Sequence, residues 1–145
     1  MKITVLGSGT SQGVPIITCD CDVCHSSDAR DMRLRTSILI ETKDTTVCVD
    51  ADPDFRYQML RAKVKKLDAI LITHEHKDHI GGLDDARPLI FVQKKPMTVY
   101  ASIEAQEEIK REYSYAFANE DERYPGAPTF NLITIDGSPI KINEL

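Results

Sequence analysis

Residues 73–82 read Thr73-His74-Glu75-His76-Lys77-Asp78-His79-Ile80-Gly81-Gly82. Three of the four histidines in the chain fall here, with Asp78 among them. The stretch follows a short apolar run, Ala69-Ile70-Leu71-Ile72, suited to a buried strand. On extended backbone, side chains two apart point to one side, so His74 and His76 can meet on one cation. The chain must then turn to bring Asp78 and His79 back, and Gly81-Gly82 suits that turn and close packing. Imidazole and carboxylate donors together suit Zn²⁺, Mn²⁺ or Fe. The natural division puts His74 and His76 on one ion and Asp78 and His79 on a second. Two ions about 3.5–4 Å apart share a bridging water and lower its pKa, giving a hydroxide that attacks carbon or phosphorus.

Two related patterns are excluded. A His-Glu-x-x-His zinc helix requires His where Asp78 stands. A zinc deaminase requires a Cys-x-x-Cys after its histidine, and no cysteine follows Cys48.

Outward from the motif, the second cluster is Cys19-Asp20-Cys21-Asp22-Val23-Cys24, a C-x-C-x-x-C pattern. Three thiolates supply most of a tetrahedral zinc site, with His25 or a distant residue as the fourth ligand. The cluster sits within residues 7–36, a long aperiodic stretch that calls for an anchor. Cys21 to His25 also fits the C-x-x-C-H haem attachment pattern, which the extra Cys19 and the lack of an export signal disfavour. Cys48, alone in a strand pattern, reads as core. Gly7-Ser8-Gly9 follows a strand but lacks the third glycine of a dinucleotide loop, since Gln12 stands there.

The 145 residues carry 18 Lys plus Arg against 23 Asp plus Glu, a net charge of −5, with 41% apolar and 28% charged residues. These values exclude disordered, collagen-like and coiled-coil classes. No apolar run approaches the roughly 18 residues of a membrane span. The acidity argues against a broad nucleic-acid surface. The first apolar run stops at Gly7 and resembles no signal peptide, so a cytoplasmic location with reduced thiols is expected.

Strands are expected at residues 3–6, 37–42, 46–50, 69–73, 97–101 and 130–135, with another beginning near 140–142. Residues 43–45 turn a hairpin. Helices are expected from an Asp52 cap and Pro53 to residue 64, with Phe55, Met59 and Leu60 on one face. Further helices are expected over 83–93, interrupted at Pro88, and over 103–117, capped by Ser102. Strands first, then strands alternating with helices, predict a mixed α/β layer architecture.

The His-x-His-x-Asp-His pattern at 74–79 resembles the motif of the metallo-β-lactamase-fold hydrolases. That resemblance implies an α/β (α+β) fold, an αββα sandwich. It implies that His74 and His76 bind the first metal, and Asp78 and His79 the second, both Zn or Mn. Asp78 is then the candidate catalytic carboxylate as well as a ligand. Asp50, closing the 46–50 run, takes the place of a carboxylate that orients a ligand from behind. The C-x-C-x-x-C cluster, with residues 6–15, 35–37 and 50–56, resembles the PhnP-type phosphodiesterase subgroup. That closer resemblance implies a structural zinc on Cys19, Cys21 and Cys24 in a zinc-binding loop at 19–25. It also implies hydrolysis of small, cyclic phosphate esters. A related branch with similar cysteines works in pyrroloquinoline quinone biosynthesis.

The family's site needs a further His for each ion, a bridging Asp and a later His for the structural zinc, yet no histidine follows His79. Asp136 reads as a turn residue. Residues 1–145 are therefore expected to be the N-terminal portion of one domain whose C-terminal half, bearing the general acid, is absent. Such a chain exposes a sheet face and a strand edge, has little activity alone, and either belongs to a longer product or pairs as a homodimer. A small phosphodiester is the expected partner, with no membrane or nucleic acid. The alternatives are a tRNA 3′-processing-type endonuclease of the same fold and a non-catalytic zinc-binding scaffold.

Overall fold

The computed structural model describes residues 1–119 and 121–145. Strand β1 (Lys2–Gly7) pairs antiparallel with β2 (Ser37–Glu41), which turns back into antiparallel β3 (Thr46–Val49). The hairpin closes where Thr45 N–H donates to Thr42 Oγ1 at 3.0 Å. Strands β4 (Ala69–Leu71), β5 (Met97–Ala101) and β6 (Phe130–Thr134) then add one at a time, each parallel to its predecessor. Parallel neighbours require a crossover between them. Helix α1 (Phe55–Arg61) supplies the first, α2 (Lys77–Ile80) with α3 (Arg87–Gln93) the second, and α4 (Ile103–Glu112) the third. Spatial order in the six-stranded sheet equals sequence order.

The register aligns Leu39, Cys48, Ile70, Val99 and Leu132 in one row across five strands. The first four are essentially inaccessible and pack with Phe55, Leu67, Ile80, Leu83 and Ile109 in a single core. Successive side chains alternate faces, so the neighbouring row of Val5, Ile38, Val49, Leu71, Tyr100 and Ile133 lies on the other side. That row is equally apolar, the pattern of a sheet buried on both faces. Yet Val5 is 61% exposed, the other five are half-buried, and none joins the core. One helix layer on one sheet is thus in place, about half of the four-layer αββα arrangement expected.

Residues 8–36 contain no α-helix, but backbone pairing holds them down. Val14 and Arg33 exchange hydrogen bonds at 2.8 and 2.9 Å, and Gly9 N–H donates to Leu34 C=O at 2.7 Å. Gly7 lies so close to this return strand that a Cβ would sit 1.8 Å from Arg35 O. Among the described residues, no helix is long and apolar enough to cross a membrane.

Several expected boundaries move for identifiable reasons. Asp52 does not cap α1. Its carboxylate accepts Asp54 N–H at 2.6 Å, making a side-chain turn across Pro53. The helix starts at Phe55, and Asp54 instead binds Arg35 through backbone N–H (3.0 Å) and guanidinium (3.1 Å). Leu60 faces solvent, while Gln58 is buried, donating to Asp52 Oδ2 at 2.7 Å and Arg35 O at 3.0 Å. Pro88 does not interrupt a helix. It sits in the first turn of α3, after a 3₁₀ turn over Leu83–Ala86, where its missing N–H has no acceptor to lose. Helix α4, capped by Ser102 Oγ accepting Ala105 N–H at 3.2 Å, stops at Glu112, short of residue 117. Residues 140–142 form no strand. The tail is fastened by side chains instead, Thr45 Oγ1 donating to Glu144 at 2.6 Å and Asn143 to Thr45 at 3.1 Å.

Two outcomes follow from this packing. The open row should bind a hydrophobic dye such as ANS in the native state. Ile3→Lys with Val5→Lys should reduce that binding without lowering Tm; unchanged fluorescence would mean the row is covered. Separately, burial pushes the Asp52 carboxyl up to about 6, against the hydrogen bonds from Asp54 and Gln58. A carboxyl whose folded pKa exceeds its unfolded value favours folding while protonated. That contribution is present below about pH 4 and is lost as pH rises through about 6, roughly 3 kcal/mol in all. Asp52→Asn should flatten the stability–pH profile over that window in denaturant titrations, and a retained slope would refute the assignment.

Candidate metal centre

Strands β3 and β4 end side by side, Val49 paired with Leu71. Asp50 and the segment after Leu71 therefore leave the sheet at the same end, the end where open parallel sheets form their ligand crevices. Asp50 turns sharply there, at φ 63°, with its N–H on Leu71 O at 2.7 Å and its carbonyl accepting from Ser37 Oγ at 3.3 Å. The turn aims its carboxylate, only 3% exposed, into the histidine motif.

Oδ1 of Asp50 accepts Thr73 N–H at 2.8 Å, and Oδ2 lies 2.8 Å from His79 Nδ1. The Thr73 hydroxyl stands 3.0 and 2.9 Å from the two carboxylate oxygens and 3.0 Å from His74 Nδ1. Proton accounting then assigns the tautomers. An ionised carboxylate only accepts, so the single hydroxyl proton of Thr73 goes to Asp50. Its oxygen is left to accept Nδ1–H of His74, while Nδ1–H of His79 donates directly to Asp50. In a neutral imidazole with Nδ1 so held, Nε2 is the unprotonated nitrogen, the atom that ligates metal.

The motif does not continue β4 as strand to residue 73. Beyond Leu71 the chain bends at Thr73 and at Glu75, and His76 (φ −63°, ψ 148°) opens α2, its carbonyl accepting His79 N–H at 2.8 Å. This one helical turn brings Asp78 and His79 back. The His74 and His79 ring centroids are 3.9 Å apart, those of His74 and His76 4.7 Å, and His79 Nε2 is 3.3 Å from Asp78 Oδ2. The glycines serve by close approach rather than by unusual dihedrals. Gly82 N–H donates to Ala51 O at 2.7 Å, and a Cβ on Gly82 would lie 2.1 Å from Asp52 O. Tyr113 pins the same turn by donating to Ile80 O at 2.7 Å, and burial pushes its phenol pKa upward.

Among the described residues, Cys19, Cys21 and Cys24 form the one group of three or more candidate donors lying within 4.8 Å of one another. All four cysteines are free thiols. Ile16 N–H donates to Cys24 Sγ at 3.4 Å, and the Cys24 backbone, then the Cys19 and Cys24 thiols, hold the Cys21 thiol below its ordinary pKa. The sulfur chemistry and spacing fit a tetrahedral zinc lacking one ligand. His25 does not join them; it lies 3.5 Å from the Asp20 carboxylate. The histidine motif offers its donors in pairs, which suits a divalent ion completed by further ligands. Cys48 lies in the core row, its thiol pushed up to about 12 by burial. Thr73 is the residue bridging Asp50 and His74 that the sequence reading did not single out. Its only signal was a hydroxyl directly before the first histidine.

The family described as the Beta-lactamase superfamily domain matches residues 45–145. The chain is 43% identical over 147 residues to the octanoyltransferase of Porphyromonas gingivalis (strain ATCC BAA-308 / W83), covering 100% of this chain and 29% of that protein. It superposes with a TM-score of 0.85 and 41% identity on the crystal structure of a new diphosphatase from the PhnP family, covering 97% of this chain and 52% of that one. It also superposes on Zn²⁺-bound PqqB from Methylobacterium extorquens, with a TM-score of 0.72 and 23% identity over 93% of this chain and 49% of that one. The last shows a shared fold. The chain spans about half the length of these solved structures and less than a third of the octanoyltransferase.

Gly82→Ala should force α2 off the β3–α1 turn, because the obstacle is backbone. Thermal unfolding should register a loss of about 1–3 kcal/mol, and an unchanged Tm would show that the contact yields freely.

Proposed function

This chain belongs to the beta-lactamase superfamily and has the metallo-β-lactamase fold, and from that premise we propose that it is the metal-binding portion of a PhnP-type hydrolase acting on small phosphodiesters. The observation that carries the reading is the Asp50–Thr73 relay, which engages Nδ1 of both His74 and His79 and leaves Nε2 of His79 facing Asp78. The 41% identity to a PhnP-family diphosphatase supports attack at phosphorus over attack at an acyl carbon. The name of the octanoyltransferase refers to a protein of which 29% is matched here, so acyl transfer is not carried over.

In this reading His74 and His76 hold one divalent ion, zinc or manganese, and Asp78 and His79 a second. Bound ions supply Lewis-acid stabilisation of charge on the phosphoryl oxygens. The chain's own contribution is orientation. Asp50 and Thr73 fix two imidazoles with their lone pairs outward, and Gly82 keeps α2 flat enough for Asp78 to reach the same side. Cys19, Cys21 and Cys24 hold a structural zinc that anchors residues 8–36. A small phosphodiester is the ligand, and the reducing cytoplasm is the compartment in which those thiols stay available. Each ion has too few ligands on this chain for zinc's usual four, so residues 1–145 alone turn over slowly.

Metal analysis beside a bis-p-nitrophenyl phosphate assay tests the proposal. The purified chain should retain one zinc that Cys24→Ser abolishes, bind further metal weakly through sites that Asp78→Ala removes, and show little turnover. Zinc retained in full by Cys24→Ser would sink the structural site. Turnover matching that of full-length PhnP-type enzymes would sink the claim of an incomplete centre.

A further inference from the structure

Between α1 and the start of α3 lies a cavity of about 450 Å³, and none of its lining residues belongs to the histidine motif or the cysteine loop. Its apolar walls are Met59, Leu60, Val64, Pro88 and Leu89. The way α1 ends builds it. Val64 N–H donates to Met59 O at 3.0 Å and Lys63 N–H to Leu60 O at 3.1 Å. This paired helix stop folds the residue after the reversal back against the last turn. The reversal itself is Lys63, at φ 56° in the left-handed region, which a residue with a Cβ enters at a cost of about 1 kcal/mol. Lys63 and Lys65 therefore flank the apolar floor, and Arg56 joins them from the first turn of α1.

Three cations line the cavity against one carboxylate, Asp85. Among the described residues, none of the three cations forms an ion pair, although other lysines and arginines do. Apolar walls with a few polar groups at one side, in a volume of several hundred Å³, are the general form of a small-molecule site. All three cations are exposed, so an anionic head group beside the apolar walls gains their attraction, a neutral guest gains none, and a cationic one is repelled. We infer that this cavity binds an amphiphilic anion: an apolar chain or ring against Leu60, Val64 and Leu89, with a carboxylate among Arg56, Lys63 and Lys65.

Decanoate is the probe, titrated at pH 7.5 into the 145-residue chain and followed residue by residue in ¹H–¹⁵N NMR spectra. Saturable shifts are expected at residues 59–65 and 85–89. Lys63→Glu with Lys65→Glu should weaken binding at least about tenfold, decanol should bind at least about tenfold more weakly, and acetate should not bind. Both lysines are exposed, so the double variant should keep its Tm. Leu60→Asp, at another exposed position, should abolish the shifts independently. Equal binding of decanol and decanoate, or an unchanged affinity in the lysine variant, would overturn the anion site. Shifts confined to β1 and β2 would put decanoate on the open sheet face and also overturn it. A dimer dissolved by Leu60→Asp, without decanoate shifts, would assign the cavity to a second copy of the chain and refute the proposal.

Discussion

A buried carboxylate is costly unless every lone pair it exposes finds a proton. Asp50 meets that demand with Thr73 N–H, the Thr73 hydroxyl and His79 Nδ1. Much of the remaining structure follows from keeping those donors in reach. The strand bearing Asp50 and the strand preceding Thr73 must be parallel neighbours ending level with each other. That requires a crossover, and α1 is the crossover. His79 must return to the same carboxylate six residues after Thr73, so the motif folds into the single helical turn α2. That turn must lie flat on the residues after Asp50, so position 82 has no side chain. Charge, topology and packing thus constrain one another at one point.

The same economy leaves the sheet asymmetric. Its helix-covered face holds a continuous core from Leu6 to Ala116. Its other face carries an apolar row in which Val5 is exposed and the other five residues are half-buried. Burial of apolar surface is worth roughly 25 cal/mol per Å², so covering that row would favour association. The chain covers 52% of the PhnP-family structure, so more polypeptide is used in that relative than is present here.

Local signals were legible in the sequence and choices among near-equivalent partners were not. The 43–45 hairpin and the Ser102 cap rest on spacing or on one residue's intrinsic chemistry, whereas Asp50 was singled out beside the His-x-His-x-Asp-His pattern by the family resemblance. The start of α1 moves because the Asp52 carboxylate is taken by Asp54 N–H and Gln58, and Asp54, at the N-cap position, gives its own carboxylate to Arg35, nineteen residues upstream, rather than to the helix. Gln58 carries no burial signal of its own, because its burial depends on two acceptors, Asp52 and Arg35 O, that only the fold brings to it. Pro88 read as a break because propensity does not say where a first turn lies. The place of Thr73 was invisible, since its contacts come from two rings and a carboxylate that only the fold brings to it.

The one-to-one match between strand order and chain order has a kinetic meaning. Every strand pairs with the strand made just before it, so no gap in the sheet has to be kept open for a later arrival. A chain emerging from the ribosome can lay down such a sheet by accretion, each completed crossover sealing the helix layer behind it, in the N-to-C direction in which synthesis exposes it. The β3–β4 pair that aims Asp50 at His79 is then formed before β5 or β6 exists. The histidine motif is thus placed against Asp50 by strands that precede β5 and β6 in the chain.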